Sequence, residues 1–161
     1  NFQLLNFPNA IFSSILCSCL IAIIFIDYKH YIIPLPIITF SFLVLGINLF
    51  FVPEQLNEML YGILLGIGYL GFVFISTSLI LKKQAMGYGD LLLIAVLGAW
   101  LGPIKVLFTI FFGALLGIIF FGYKIYIKNE TISKLPFGTF LGIASIIINF
   151  INIELLVKPL F

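Results

Sequence analysis

The stretch "KKQAMGYGDLLLIAVLGAW", residues 82–100, sets an aspartate, Asp90, at the head of a run that is otherwise almost purely apolar. The chain holds only two aspartates among its six acids, so the position asks for a reason. Around it stand 161 residues that are 63% hydrophobic and 9% charged, with a mean hydropathy of +1.28. Soluble domains carry about 25% charged residues. This composition describes an integral membrane protein, and the stretch must be read against a bilayer.

A hydrocarbon core about 30 Å thick takes about 20 apolar residues in a helix. Residues 91–101 alone give only about 17 Å at 1.5 Å per residue. To cross, the helix must begin near Ala85, at about 27 Å, and that draws Asp90 beneath the membrane surface. Five further segments meet or approach the required length: 9–27, 35–52, 59–81, 104–123 and 137–156. The expected fold is therefore all-α, a polytopic membrane protein of about six transmembrane helices forming one domain over residues 1–161.

Lysines set the expected orientation, because cytoplasmic loops collect basic residues. With helices alternating, Lys29, Lys82, Lys83, Lys124, Lys128 and Lys134 fall on one side. Lys105 and Lys158 fall on the other, with Glu54 and Glu58. The first side is read as cytoplasmic, with both termini outside. A net charge of +2 and the absence of arginine argue against a nucleic-acid partner. Pro34, Pro36, Pro53, Pro103 and Pro136 all fall at helix boundaries, where a missing N–H is tolerated. Gly62/Gly66, Gly113/Gly117 and Gly138/Gly142 form small-x-x-x-small pairs that allow close helix approach.

Asp27 closes the first helix and Asp90 opens the fourth. Between them the chain crosses twice, so both carboxylates belong to the same face and a similar depth. Ionisable groups at membrane depth are costly and usually functional. Two carboxylates close together in a low-dielectric site cannot both ionise cheaply. One can then activate a water while the other protonates a leaving group, which is the logic of an aspartic peptidase. Gly87 and Gly89 fit that chemistry by clearing side chains so that an extended peptide backbone can approach Asp90.

Plainer readings exist for each residue. An aspartate in a first helical turn also suits the helix end, and glycine is common at such junctions. Asp27 alone also fits an interfacial acid paired with Lys29. Cys17 and Cys19 read as packing residues. His30, the only histidine, lacks the partners a metal site requires, so no metal is expected. Tyr28, Tyr31, Tyr88 and Trp100 read as interface or packing aromatics.

Three patches together resemble the type IV prepilin peptidases, bacterial members of the GxGD membrane aspartic proteases. They are "IDYKHYIIP" (26–34), "MGYGDLLLIAVLGAWLG" (86–102) and "LPFGTFLG" (135–142). The resemblance implies an endopeptidase that removes the basic leader of type IV prepilins or pseudopilins at the cytoplasmic face of the inner membrane. Asp27 and Asp90 match its catalytic pair, and hydrolysis implies no cofactor. Many members of that family carry an upstream segment with paired C-x-x-C motifs and an N-methyltransferase activity. No such motif is present in these residues, so the chain is read either as the peptidase core of a truncated chain, which its opening on Asn directly at a helix favours, or as one of the shorter peptidase-only members. Zinc and S-adenosylmethionine are not expected here.

Two other function classes compete. Presenilin-like and signal-peptide-peptidase-like proteases also use G-x-G-D, although their first aspartate usually follows tyrosine within a helix. A small transporter or membrane subunit is the non-enzymatic alternative. It predicts polar residues spread through several helices, for which Ser76, Thr77, Ser78, Asn149 and Asn152 give slight support.

Overall fold

The computed structural model describes residues 2–81, 87–126 and 135–151. Lys82, Lys83, Ala85, Lys128, Glu130, Lys134, Asn152, Glu154 and Lys158 lie outside the described residues. The described chain is helical throughout: α1 (Phe2–His30), α2 (Leu35–Phe51), α3 (Leu56–Leu81), α4 (Tyr88–Tyr126) and α5 (Phe137–Phe150). A 3₁₀ turn, Pro53–Gln55, links α2 to α3. In hydrocarbon every backbone N–H and C=O must find a partner within the protein, and helices achieve this segment by segment.

The helix α4 is two rods in sequence. Gly102 takes φ 79°, ψ 178°, outside helical space, and Pro103 follows it as the first residue of the new rod. A Cβ on Gly66 of α3 would lie 3.3 Å from Ile94 O and 3.3 Å from Val106 Cγ2. In a straight helix those two residues would stand about 18 Å apart along the axis. Gly62, one turn earlier on α3, instead meets Gly98 and Gly102. Moving along α3, the contacts therefore run backwards through residues 88–101 and forwards through 103–126. The chain reverses at Gly102, and both rods lie against α3.

Among the described residues five helices, one of them two rods in sequence, stand beside the six spans expected, and their ends differ from the expectation. α1 continues through Lys29 to His30, so Asp27 sits within its last turn and not at its close. The fourth rod begins at Tyr88, not near Ala85, because Gly87 lies outside the helix. That rod is about 21 Å long. Among the described residues the last helix runs to Phe150 and Ile151 turns extended, while residues 152–156 of the expected segment lie outside the described residues. Its end carries Ile146, Ile147, Ile148 and Asn149, β-branched and amide residues of modest helix propensity. By length and composition, Ala10–His30, Pro53–Ile80 and Tyr88–Tyr126 are long and apolar enough to cross a membrane. Leu35–Phe51 and Phe137–Phe150 are apolar but shorter.

The short rod 88–101 is the centre of the bundle. Residues 93–99 are buried without interruption, and Leu93, Ile94 and Leu97 are fully enclosed. Leu16, Leu20 and Ile23 of α1, Ile38 and Leu45 of α2, Val106 and Ile110, and Leu141 pack in the same core. Large apolar side chains such as Phe72, Leu79, Ile118 and Phe150 cover the outside, as lipid contact requires.

Lipid tails are as apolar as leucine, so close backbone packing must help hold such rods together. The three glycine pairs mark three interfaces. Gly62 and Gly66 meet the two rods of α4. Gly113 and Gly117 meet Leu141 and Phe140 of α5, and Gly138 and Gly142 meet Asp27 and Ile24 of α1. Cys17 and Cys19 are free and half-buried in α1.

Candidate active site

The end of α1 and the heads of α4 and α5 come together at one end of the bundle, and both aspartates are there. Asp27 comes from the last turn of α1 and Asp90 from the first turn of α4. They are 4% and 9% exposed, and are the only buried acids among the described residues. Lys29, His30 and Tyr28 are exposed beside them. Asp27 is thus buried while the lysine considered as its partner faces outward.

Local backbone explains how Asp27 is presented. Tyr31 takes φ 57°, the left-handed region, and its N–H donates to Asp27 O at 2.8 Å. This closes α1 in a conformation that costs a non-glycine residue roughly 1 kcal/mol or more. The turn sends Ile33 inward before Pro34 restarts the chain as α2. Ile33 then fills the space between two glycines. A Cβ on Gly89 would lie 3.0 Å from Ile33 Cβ, and one on Gly138 2.7 Å from Ile33 Cδ1. The same Cβ on Gly138 would lie 3.1 Å from Asp27 Oδ2. The loop after α1, the head of α4 and the head of α5 therefore converge on one point.

The glycines before Asp90 differ from each other. Gly87 is exposed, and a Cβ there would meet only Asp90 Oδ2 at 3.6 Å and Gly89 N at 3.9 Å. Its N–H reaches Asp90 Oδ2 at 3.3 Å, while the Asp90 N–H returns to Gly87 O at 3.2 Å. Among the described residues nothing else stands near the side-chain position of Gly87. At Gly89 the corresponding space is already taken by Ile33.

One residue at the site was not singled out from the sequence. Thr139 of α5 donates to Asp27 Oδ2 through its backbone N–H at 2.7 Å and its hydroxyl at 3.0 Å. A threonine in a first helical turn carries no signal of this kind by itself, and its partner lies 112 residues away. Its place in "LPFGTFLG", the third patch quoted above, was the available hint. Among the described residues no group of three or more His, Cys, Asp or Glu side chains comes together as a metal site.

A pair of buried carboxylates, one held by two donors and one by a single donor, with an open backbone position beside it, can polarise a water and move protons. Comparison with known proteins bears on which reaction this serves. The type IV leader peptidase family matches residues 14–122, a region that includes both aspartates and ends before Thr139. The prepilin leader peptidase/N-methyltransferase of Pseudomonas aeruginosa is 36% identical over 131 residues, covering 78% of this chain and 44% of that protein. The protein of the same name from Dichelobacter nodosus is 34% identical over 137 residues, covering 83% and 46%. Leader peptidase HopD of Salmonella typhimurium is 32% identical over 97 residues, covering 59% and 63%. The chain spans about half the length of the curated prepilin peptidases it matches. No solved structure matches it.

Proposed function

The chain belongs to the type IV leader peptidase family, and we propose that it is an aspartic endopeptidase that removes the leader of type IV prepilins or pseudopilins. Asp27 and Asp90 are the catalytic pair. The observation that carries the reading is the convergence of two buried carboxylates at one end of the bundle, around Ile33. In the reaction one carboxylate takes a proton from water as the water oxygen bonds to the scissile carbonyl carbon. The other gives its proton to the carbonyl oxygen, forming a gem-diol. Collapse of the diol breaks the C–N bond, returns a hydroxyl proton to the second carboxylate and passes the first proton to the departing amine. Both acids end as they began, so no cofactor enters the cycle.

The exposed backbone at Gly87 supports entry of an extended peptide beside Asp90, and Gly89 contributes by admitting Ile33. The lysine asymmetry supports a bacterial inner-membrane placement with the aspartate end cytoplasmic and both ends of this sequence periplasmic. There the junction between a basic leader and an apolar helix would meet the carboxylates at the membrane edge.

Co-expression with a prepilin tests the reading by the mass of the processed product. Leader removal is expected from the wild-type chain, and Asp27→Asn and Asp90→Asn are each expected to slow it by about 10³-fold or more. Normal cleavage by both variants would overturn the proposal.

A further inference from the structure

Most buried hydroxyls here serve their own helix. Ser41, Thr109 and Ser145 each donate to a carbonyl three or four residues back, which satisfies them in an apolar interior. Thr139 is 3% exposed and does otherwise: both of its donors reach across to α1. Its N–H belongs to the first turn of α5, where backbone donors have no partner within the helix. Pro136, in the capping place, supplies no side-chain hydrogen bond. Asp27 Oδ2 takes that role instead, and it faces the positive end of the α5 dipole.

The Thr139 hydroxyl also has Ile24 O within reach, at 3.3 Å against 3.0 Å for Asp27 Oδ2. One hydrogen thus has two acceptors. Asp90 is held differently, by the single Gly87 N–H at 3.3 Å.

We propose that Thr139 is a positioning residue for the peptidase reaction, fixing Asp27 Oδ2 as acceptor so that Oδ1 is the oxygen that takes the proton of the attacking water. This deepens, and rests on, the reading of Asp27 and Asp90 as the catalytic pair. It assigns Asp27 as the base and Asp90 as the acid that protonates the scissile carbonyl. While Asp27 is ionised, both Thr139 donors are spent on Oδ2. When Oδ1 gains the water proton, the carboxyl loses its charge and the hydroxyl turns to Ile24 O, leaving the N–H on Oδ2. When the proton leaves with the amine, the hydroxyl returns. No buried polar group goes unpaired in either state, which removes a cost the cycle would otherwise meet twice.

The experiment uses the full chain, reconstituted with a prepilin, and compares wild type, Thr139→Ser and Thr139→Val. Valine keeps the shape and the backbone N–H and removes the hydroxyl; serine keeps both donors. Thr139→Val is expected to lower kcat by on the order of tenfold to a hundredfold, the range for a hydrogen bond to a charged group. KM stays within about threefold, and Thr139→Ser stays within about threefold of wild type in both, since it loses no donor. A second readout needs no turnover: the infrared carboxylate band of Asp27, identified by subtracting the Asp27→Asn spectrum. It moves in Thr139→Val and stays in place in Thr139→Ser. A wild type that cleaves, with a Thr139→Val variant equal to it in kcat and band position, overturns the role of Thr139 and leaves the peptidase reading standing. Equal losses in the serine and valine variants also overturn it, since they mark a packing role. A wild type that fails to cleave overturns the peptidase reading, and the positioning role with it, even if the band moves.

Discussion

The bundle has two polar ends, and they are built on different terms. At one, Asp27, Asp90 and Thr139 are buried and tied by hydrogen bonds as short as 2.7 Å. At the other, Ser13, Asn48, Gln55, Trp100 and Asn149 line a cavity of about 140 Å³. Its hydrogen bonds are long, 3.3 Å from Trp100 Nε1 to Ser13 Oγ and 3.4 Å from Asn48 Nδ2 to Gln55 Oε1. Asn48 Oδ1 is buried without a partner. The contrast follows from charge. A carboxylate in a low-dielectric interior demands fixed donors, whereas neutral amides tolerate slack geometry around space that water can enter. Order at the aspartate end should therefore govern activity. At the amide end the close element is backbone, where Gly62 meets Gly98.

The largest expected effect tests that second statement. A Cβ on Gly98 would fall on the Gly62 carbonyl and lie 3.0 Å from Ile63 N, and neither backbone can yield as a side-chain tip could. Gly98→Val is expected to lower stability by about 3 kcal/mol, the upper part of the overpacking range. Gly68→Val on α3, where a Cβ meets nothing within 4 Å, is the control and should unfold like wild type. Thermal unfolding in detergent measures both. Equal stability of the two variants would mean that the rods at the amide end are not held by backbone contact.

A smaller effect is expected at the aspartate end, and it separates two explanations of one glycine. If Gly89 is bare to admit Ile33, then Gly89→Ala pushes on the Ile33 Cβ and slows cleavage by about fivefold to tenfold, and Ile33→Gly, which removes that Cβ, restores it. If Gly89 is bare to admit substrate, the second substitution restores nothing. The cleavage rates of the two single variants and the double variant decide between them. Gly87→Ala, which meets no Ile33, should be indifferent to Ile33→Gly in either case.

That ambiguity marks the reach of the sequence. The all-helical, apolar fold and the scarcity of acids were legible because a bilayer forbids casual charge and demands apolar helices. The length argument erred at Ala85: it assumed that the fourth rod crosses alone, whereas the rod starts at Tyr88 and is buried among its neighbours. The alternation of helices already placed a reversal at 102–103, and the contacts of Gly66 with Ile94 and Val106 agree with it. Gly89 advertised missing atoms without saying what occupies their place. Thr139 left only its place in the third patch as a hint, because a helix end capped from 112 residues away has no local pattern.

The smallest expected effect lies in the cavity itself. Asn48 holds one weak hydrogen bond and one unpartnered oxygen, so its amide contributes little beyond its volume. Leucine has a similar size and no polar group to leave unpaired. Asn48→Leu should therefore leave stability within about 1 kcal/mol of wild type, on the stable side if the orphan oxygen carries its usual cost. Cleavage should not change, because the cavity and the carboxylates sit at opposite ends of the same rods, about 15 Å apart along the ten residues from Asp90 to Trp100. A loss of 2 kcal/mol or more would give Asn48 Oδ1 a water partner in the membrane, since the cavity is polar and roomy enough to hold water. The two ends would then differ in what supplies the donors, protein at one and water at the other, and no longer in how firmly their polar groups are held.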